Sequence, residues 1–238
     1  MSARSAQVSL GQTSTSRTRL AALAAVLALV ALPLTLAARG PGVFPADIAI
    51  ARAVQAPDWR WLDQLAWAMT EIGRSWPGET VLATLFVLLL AARGRREALF
   101  VALAAVAGSL NVLTKLAVAS PRPTPDLVRV VEAANGYGFP SGHAFGATLF
   151  YGALAVVMPS LVPSRAWSGI LRVACVLMVA LIGWSRIRLG AHWPSDVLGG
   201  WLWGGAMLAL LAAWLPVVLG LARAGGGPGP GAPDALSG

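Results

Sequence analysis

The sequence predicts an all-α integral membrane protein: a bundle of six transmembrane helices with one short interfacial helix. Three observations carry this. Of the 238 residues, 57% are hydrophobic and only 12% are charged, against about a quarter charged in an ordinary soluble domain. The apolar residues fall in long blocks nearly free of charge, each close to the roughly 20 residues a spanning helix requires. The net charge of +8 comes from arginines flanking those blocks, which assigns it to membrane topology rather than to nucleic acid.

The elements follow in order. Residues 1–19 are polar, rich in Ser and Thr, and read as a disordered cytoplasmic tail. Residues 20–38 form the first apolar block, with Pro33 as a kink. The block exceeds the roughly 7–15 residues of a signal h-region, so it reads as a retained helix rather than a cleaved leader. Between 39 and 76, Trp61, Leu62, Leu65, Met69 and Ile72 recur at helical spacing and Arg60, Asp63, Glu71 and Arg74 interrupt them. Such a helix lies at the membrane interface or packs on the bundle, and the pattern does not choose. Further spans are expected over 77–92, 97–118, 143–159, 168–185 and 196–222, making a membrane domain of 20–222. Residues 223–238 are Gly- and Pro-rich and read as a flexible tail. Cys175, the single cysteine, sits within an apolar block as a packing residue.

Six spans put both termini on one side. Alternating the loops divides the basic residues nine against nine. The short loop "ARGRRE" (92–97) concentrates three arginines, and short loops carry the orientation signal. The termini are therefore expected in the cytoplasm.

The unusual residues gather on the opposite face. Lys115, the only lysine, and Arg122 lie in "KLAVASPRP", His143 in "PSGH", and Arg186, His192 and Asp196 in "SRIRLGAHWPSD". These segments are the end of the third span, the start of the fourth and the loop between the fifth and sixth. Three cations at one depth match a phosphate-sized anion. Ser141 suits a helix N-cap, Gly142 admits close backbone approach, and the exposed N–H groups there favour an anion. Pro194 suits a first helical position, leaving His192 just before that turn, within reach of the Asp196 carboxylate. The pair makes a nucleophilic histidine, and His143 can protonate a leaving oxygen. No carboxylate cluster of metal-binding type is present, so no metal and no cofactor are expected. Plainer readings exist for each residue. Lys115 could snorkel, Arg122 could be a loop charge, Ser141 and Gly142 could form a simple cap and turn, and Asp196 could complement a helix dipole. Trp193 reads as an aromatic-belt anchor and Arg188 as an interfacial charge. The conjunction of rare residues on one face favours a site.

These three segments resemble the three signature motifs of the type-2 phosphatidic acid phosphatase family: Lys, six residues, Arg-Pro; Pro-Ser-Gly-His; and Ser-Arg, five residues, His, three residues, Asp. The resemblance covers roughly 60–215. It implies that Lys115, Arg122, Ser141, Gly142 and Arg186 bind phosphate, His143 is the general acid, His192 is the nucleophile of a phosphohistidine intermediate, and Asp196 supports His192. It further implies metal-independent hydrolysis of a lipid phosphate at an extracytoplasmic site. Phosphatidic acid, phosphatidylglycerol phosphate and undecaprenyl diphosphate are the candidate substrates. Vanadium haloperoxidases share the motifs but are soluble, unlike a chain dominated by apolar spans. A lipid phosphotransferase using the same intermediate and a non-catalytic lipid-phosphate binder or transporter remain as alternatives. Residues between Pro123 and Phe139 are expected to form a small lid with nothing that selects a headgroup.

Overall fold

In the computed structural model, residues 3–40, 43–73, 87 and 95–218 are described. They form helices α1 (Ala3–Ala38), α2 (Pro45–Gln55), α3 (Arg60–Ile72), α4 (Arg95–Gly108), α5 (Asn111–Val118), α6 (Gly142–Leu161), α7 (Arg165–Arg188) and α8 (Pro194–Val218). Among the described residues, five helical stretches are long and apolar enough to cross a bilayer: Ser16–Ala38, Glu97–Val118, Gly142–Leu161, Arg165–Arg188 and Pro194–Trp214. The span expected over 77–92 lies outside the described residues, apart from Val87.

α6 is the axis of the bundle and packs against α4, α7 and α8. Their shared core contains Phe100, Val101 and Ala104 of α4, Phe145, Leu149 and Ala153 of α6, and Cys175 of α7. The outward faces are apolar as well: Leu29, Val106, Leu113 and Val176 are all exposed, as they should be where the surrounding solvent is lipid. Close approach of α8 to α6 depends on small residues, as in other membrane bundles. A Cβ on Gly200 would stand 2.8 Å from the Ser141 carbonyl oxygen, and one on Gly204 would stand 3.0 Å from that of Phe145.

α1 lies along α8. The indole N–H of Trp203 donates to Thr35 Oγ1 at 2.9 Å, and the Arg17 guanidinium sits 5.8 Å from the ring centroid of Trp214. The start of the first span therefore neighbours the end of the last, at the end of α8 remote from Pro194. α1 also begins earlier than the apolar block, running through residues 3–19 that the sequence assigns to a disordered tail.

The third span is broken. α4 ends at Gly108 and α5 starts at Asn111, with short i to i−3 bonds from Ser109 N to Val106 O and from Leu110 N to Ala107 O. The Ser109 hydroxyl caps Val106 O at 2.6 Å. Segment 39–76 yields two helices rather than one. α3 packs on α7 through buried Ala66 and Thr70 and leaves Trp61, Trp67 and Ile72 exposed. α2, which the sequence pattern did not separate, rests on the ends of α7 and α8.

Candidate active site

The site is assembled at one end of the bundle, where the N-termini of α6 and α8 meet the C-terminal ends of α5 and α7. Proline and serine build the two helix starts. Pro194 opens α8. Ser141 is the N-cap of α6, its hydroxyl accepting from Ala144 N. The two starts are tied together by the Ser141 amide, which donates to the Asp196 carbonyl at 2.9 Å. Gly138 lets the loop pass close to Asp196, because a Cβ there would stand 2.7 Å from Oδ2.

His192 is clamped on both ring nitrogens. Nδ1 lies 3.2 Å from Asp196 Oδ2, and Nε2 lies 3.1 Å from Arg122 Nη1. A guanidinium only donates, so Nε2 is the unprotonated nitrogen and Nδ1–H donates to the carboxylate. Asp196 Oδ2 also accepts from the Trp193 amide at 3.1 Å. The histidine is 3% exposed and the aspartate 1%. Burial, followed by the charges of Arg122, Lys115 and Arg186 and then His143, drives the His192 pKa well below its ordinary value. Both effects favour the neutral imidazole, whose Nε2 lone pair is directed at Arg122 Nη1.

Three cations converge on this ring. Lys115 Nζ donates to the carbonyls of Tyr137 (2.8 Å) and Gly138 (3.2 Å). Arg122 donates to Gly136 O through Nε and to Ala191 O through Nη1. Arg186 lies in the last turn of α7 rather than in the following loop, because the helix continues to Arg188 and turns only at Gly190, φ 68°. Its Nη1 donates to Thr70 Oγ1 at 3.0 Å and to Glu132 Oε2 at 2.7 Å. Gly142 packs beside the site's edge, where a Cβ would meet Asn111 Nδ2 at 3.2 Å and Lys115 Cε at 3.8 Å. His143 lies against the end of α3, where a Cβ on Gly73 would stand 3.2 Å from its ring. All eight residues singled out in the sequence thus occupy this one end of the fold.

Two expectations need correction. Arg188 is not an interfacial charge. It is fully buried, and its Nε donates to Asp63 Oδ1 at 2.7 Å while Nη1 donates to Val54 O at 3.0 Å. Trp193 is not a belt anchor. It is 2% exposed within an apolar cluster with Ala51, Val128, Ala144, Ile187 and Val197. Both were misjudged for one reason: α2, α3 and the 121–138 loop cover the end of α7, and nothing local in the sequence announces that cover.

The same cover contributes residues the motifs do not contain. Asp47 of α2 accepts from both the amide (2.8 Å) and the hydroxyl (2.6 Å) of Ser195, capping α8 from outside. Gln55 donates to the carbonyls of Arg129, Ile187 and Arg188. Asp63 takes both arms of Arg129 at 2.8 and 2.9 Å. A charged or amide side chain in a mostly apolar chain was the available signal for these positions, but not for their partners.

Residues 96–218 match the PAP2 superfamily. Phosphatidylglycerophosphatase B of Bacillus subtilis is 31% identical over 166 residues, 67% of this chain and 78% of that protein. Undecaprenyl-diphosphatase of Sulfolobus acidocaldarius is 35% identical over 68 residues, and the match spans only 29% of each chain. The crystal structure of a transmembrane PAP2-type phosphatidylglycerolphosphate phosphatase from Bacillus subtilis superposes with a TM-score of 0.68 at 26% identity, covering 80% of this chain and 93% of that one. With its membrane-spanning helices and the three motif segments gathered at one end, the chain belongs to the PAP2 superfamily, among relatives that are membrane lipid phosphatases.

Proposed function

We propose that this protein is a multi-pass membrane lipid phosphatase that hydrolyses a lipid phosphate or diphosphate through a phosphohistidine intermediate without a metal. The observation that carries the reading is the clamp on His192, with Asp196 at Nδ1 and Arg122 at Nε2. In the first step Nε2 attacks phosphorus, the N–P bond forms, and the P–O bond to the lipid breaks. His143 gives its proton to the departing oxygen. Lys115, Arg122 and Arg186, with the backbone amides following Ser141, neutralise the charge on the transferring group. To reach phosphate, Arg122 releases Nε2, so substrate binding itself frees the nucleophile. In the second step water attacks phosphorus, His143 accepts its proton, and the N–P bond breaks to return neutral His192.

The substrate class is an amphipathic phosphate whose tail stays in the bilayer, with undecaprenyl diphosphate, phosphatidic acid and phosphatidylglycerol phosphate as candidates. The site faces the extracytoplasmic side and the termini face the cytoplasm. The loop of three arginines and the pairing of Arg17 with Trp214 at the remote end of α8 support that orientation. Transfer to a second lipid instead of water would use the same intermediate.

The test is phosphate release from the three lipids by detergent-solubilised protein in chelator, beside His192→Ala. Release that disappears in the variant is expected. Release that survives it would overturn the histidine route, and a phosphorylated lipid acceptor in place of free phosphate would identify a transferase.

A further inference from the structure

One acidic side chain stands inside the cationic cluster with no part in the chemistry above. Glu132 Oε2 accepts from Arg186 Nη1 at 2.7 Å. Arg186 is 2% exposed, and its Nε has no hydrogen-bond partner among the described residues. Glu132 is no floating loop residue. Its amide and that of Val131 both donate to Leu189 O, at 3.1 and 2.9 Å. The segment before it is fastened by Gln55 to Arg129 O and by Arg52 Nε to Leu127 O at 2.9 Å. It also lies flush on Gly190, where a Cβ would collide with Arg129 O. The backbone therefore delivers this carboxylate to a fixed place. Glu132 is also close enough to act electrostatically on Arg122, which brings it to two of the three cations.

A carboxylate on an arginine N–H occupies the position that a phosphate oxygen would take, since both offer anionic oxygens to the same donor. We propose that Glu132 is a built-in competitor for the phosphate seat: its carboxylate holds Arg186 Nη1 when the seat is empty, must give way to the substrate phosphate, and returns to help expel the product phosphate. This rests on the phosphate-site reading above. It makes Glu132 the determinant of how tightly the seat holds any oxyanion. It also gives the segment between Pro123 and Phe139 a role beyond that of a small lid.

The experiment is titration of the detergent-solubilised full chain with inorganic phosphate by calorimetry, for wild type, Glu132→Gln and Glu132→Ala, with thermal unfolding as a folding control. Both variants should bind phosphate more tightly, Ala more than Gln, with Ala tighter by about tenfold, the scale of one charge-assisted hydrogen bond that no longer has to be broken. In turnover assays KM should fall and product inhibition by phosphate should strengthen. Equal or weaker phosphate binding in folded variants would overturn the competitor and make Glu132 a support that positions Arg186. Absence of phosphate binding in all three proteins would overturn the phosphate-site reading itself, and this proposal with it.

Discussion

Nη1 of Arg122 lies 3.1 Å from Nε2 of His192, so the cation proposed to bind phosphate faces the nitrogen proposed to attack it. The pairing sets the tautomer and adds to the burial that keeps the ring neutral. The plateau of kcat/KM against pH should therefore extend below about 6.5, the ordinary histidine value. Removing the neighbouring charge in Arg122→Gln should move the acid limb upward while lowering kcat/KM. The sign for stability is the reverse of a salt-bridged histidine. Below about pH 6.5 the unfolded chain takes up a proton at this position and the native state does not, so the His192 contribution to stability declines as pH falls. Thermal unfolding between pH 5 and 8, with His192→Asn as reference, checks this.

Asp196 orients the ring from the other side. Asp196→Asn should leave phosphate affinity within a few fold and lower kcat by about 10³–10⁴, the scale seen when a carboxylate partner no longer holds the correct tautomer. Steady-state kinetics separate the two quantities. A rise in KM with kcat unchanged would assign Asp196 to binding instead.

Gly138 is required by space. A methyl group there would stand 2.7 Å from Asp196 Oδ2 and 3.1 Å from Pro121 O. Gly138→Ala should displace the carboxylate and reduce kcat by about 10², as small misplacements of catalytic groups do. A folded variant with unaltered kcat would show that the loop yields instead.

The buried Arg188 has Asp63 as its counter-charge, and Asp63 is itself partly exposed and also held by Arg129. The hydrogen bond from Arg129, with that from Arg188, holds the Asp63 pKa down to about 2. Its stabilising contribution is present above the usual carboxylate pKa near 4 and is lost as pH falls toward 2. Asp63→Asn leaves Arg188 charged in a buried place. It should cost about 1–3 kcal/mol, less than a fully buried pair because solvent reaches the carboxylate. Chemical or thermal unfolding in detergent measures it.

Asp47 caps α8 through Ser195 from another helix. Asp47→Ala should destabilise the fold by about 1–2 kcal/mol, as loss of a helix cap does. Because Asp196 is in the turn that Asp47 holds, kcat should fall with it.

Apolar block length was enough for the spans of α1, α6, α7 and α8, and motif spacing singled out eight residues that the fold brings to one end. Bilayer thickness dictates the first, and the turn that leads into α8 at Pro194 brings His192 and Asp196 together from their separation of four. Ser141 and Pro194 begin their helices for local backbone reasons that a sequence displays. The cover over the site was not legible. Asp47, Asp63, Thr70 and Glu132 act on partners 148, 125, 116 and 54 residues away, and no periodicity encodes such pairings. Whether Arg188 lies at the membrane surface or in the protein interior depends on α2 and α3 folding back over the end of α7. Only that tertiary closure decides which charges gather at the candidate site, which meet each other, and that Arg186 shares its guanidinium with a glutamate.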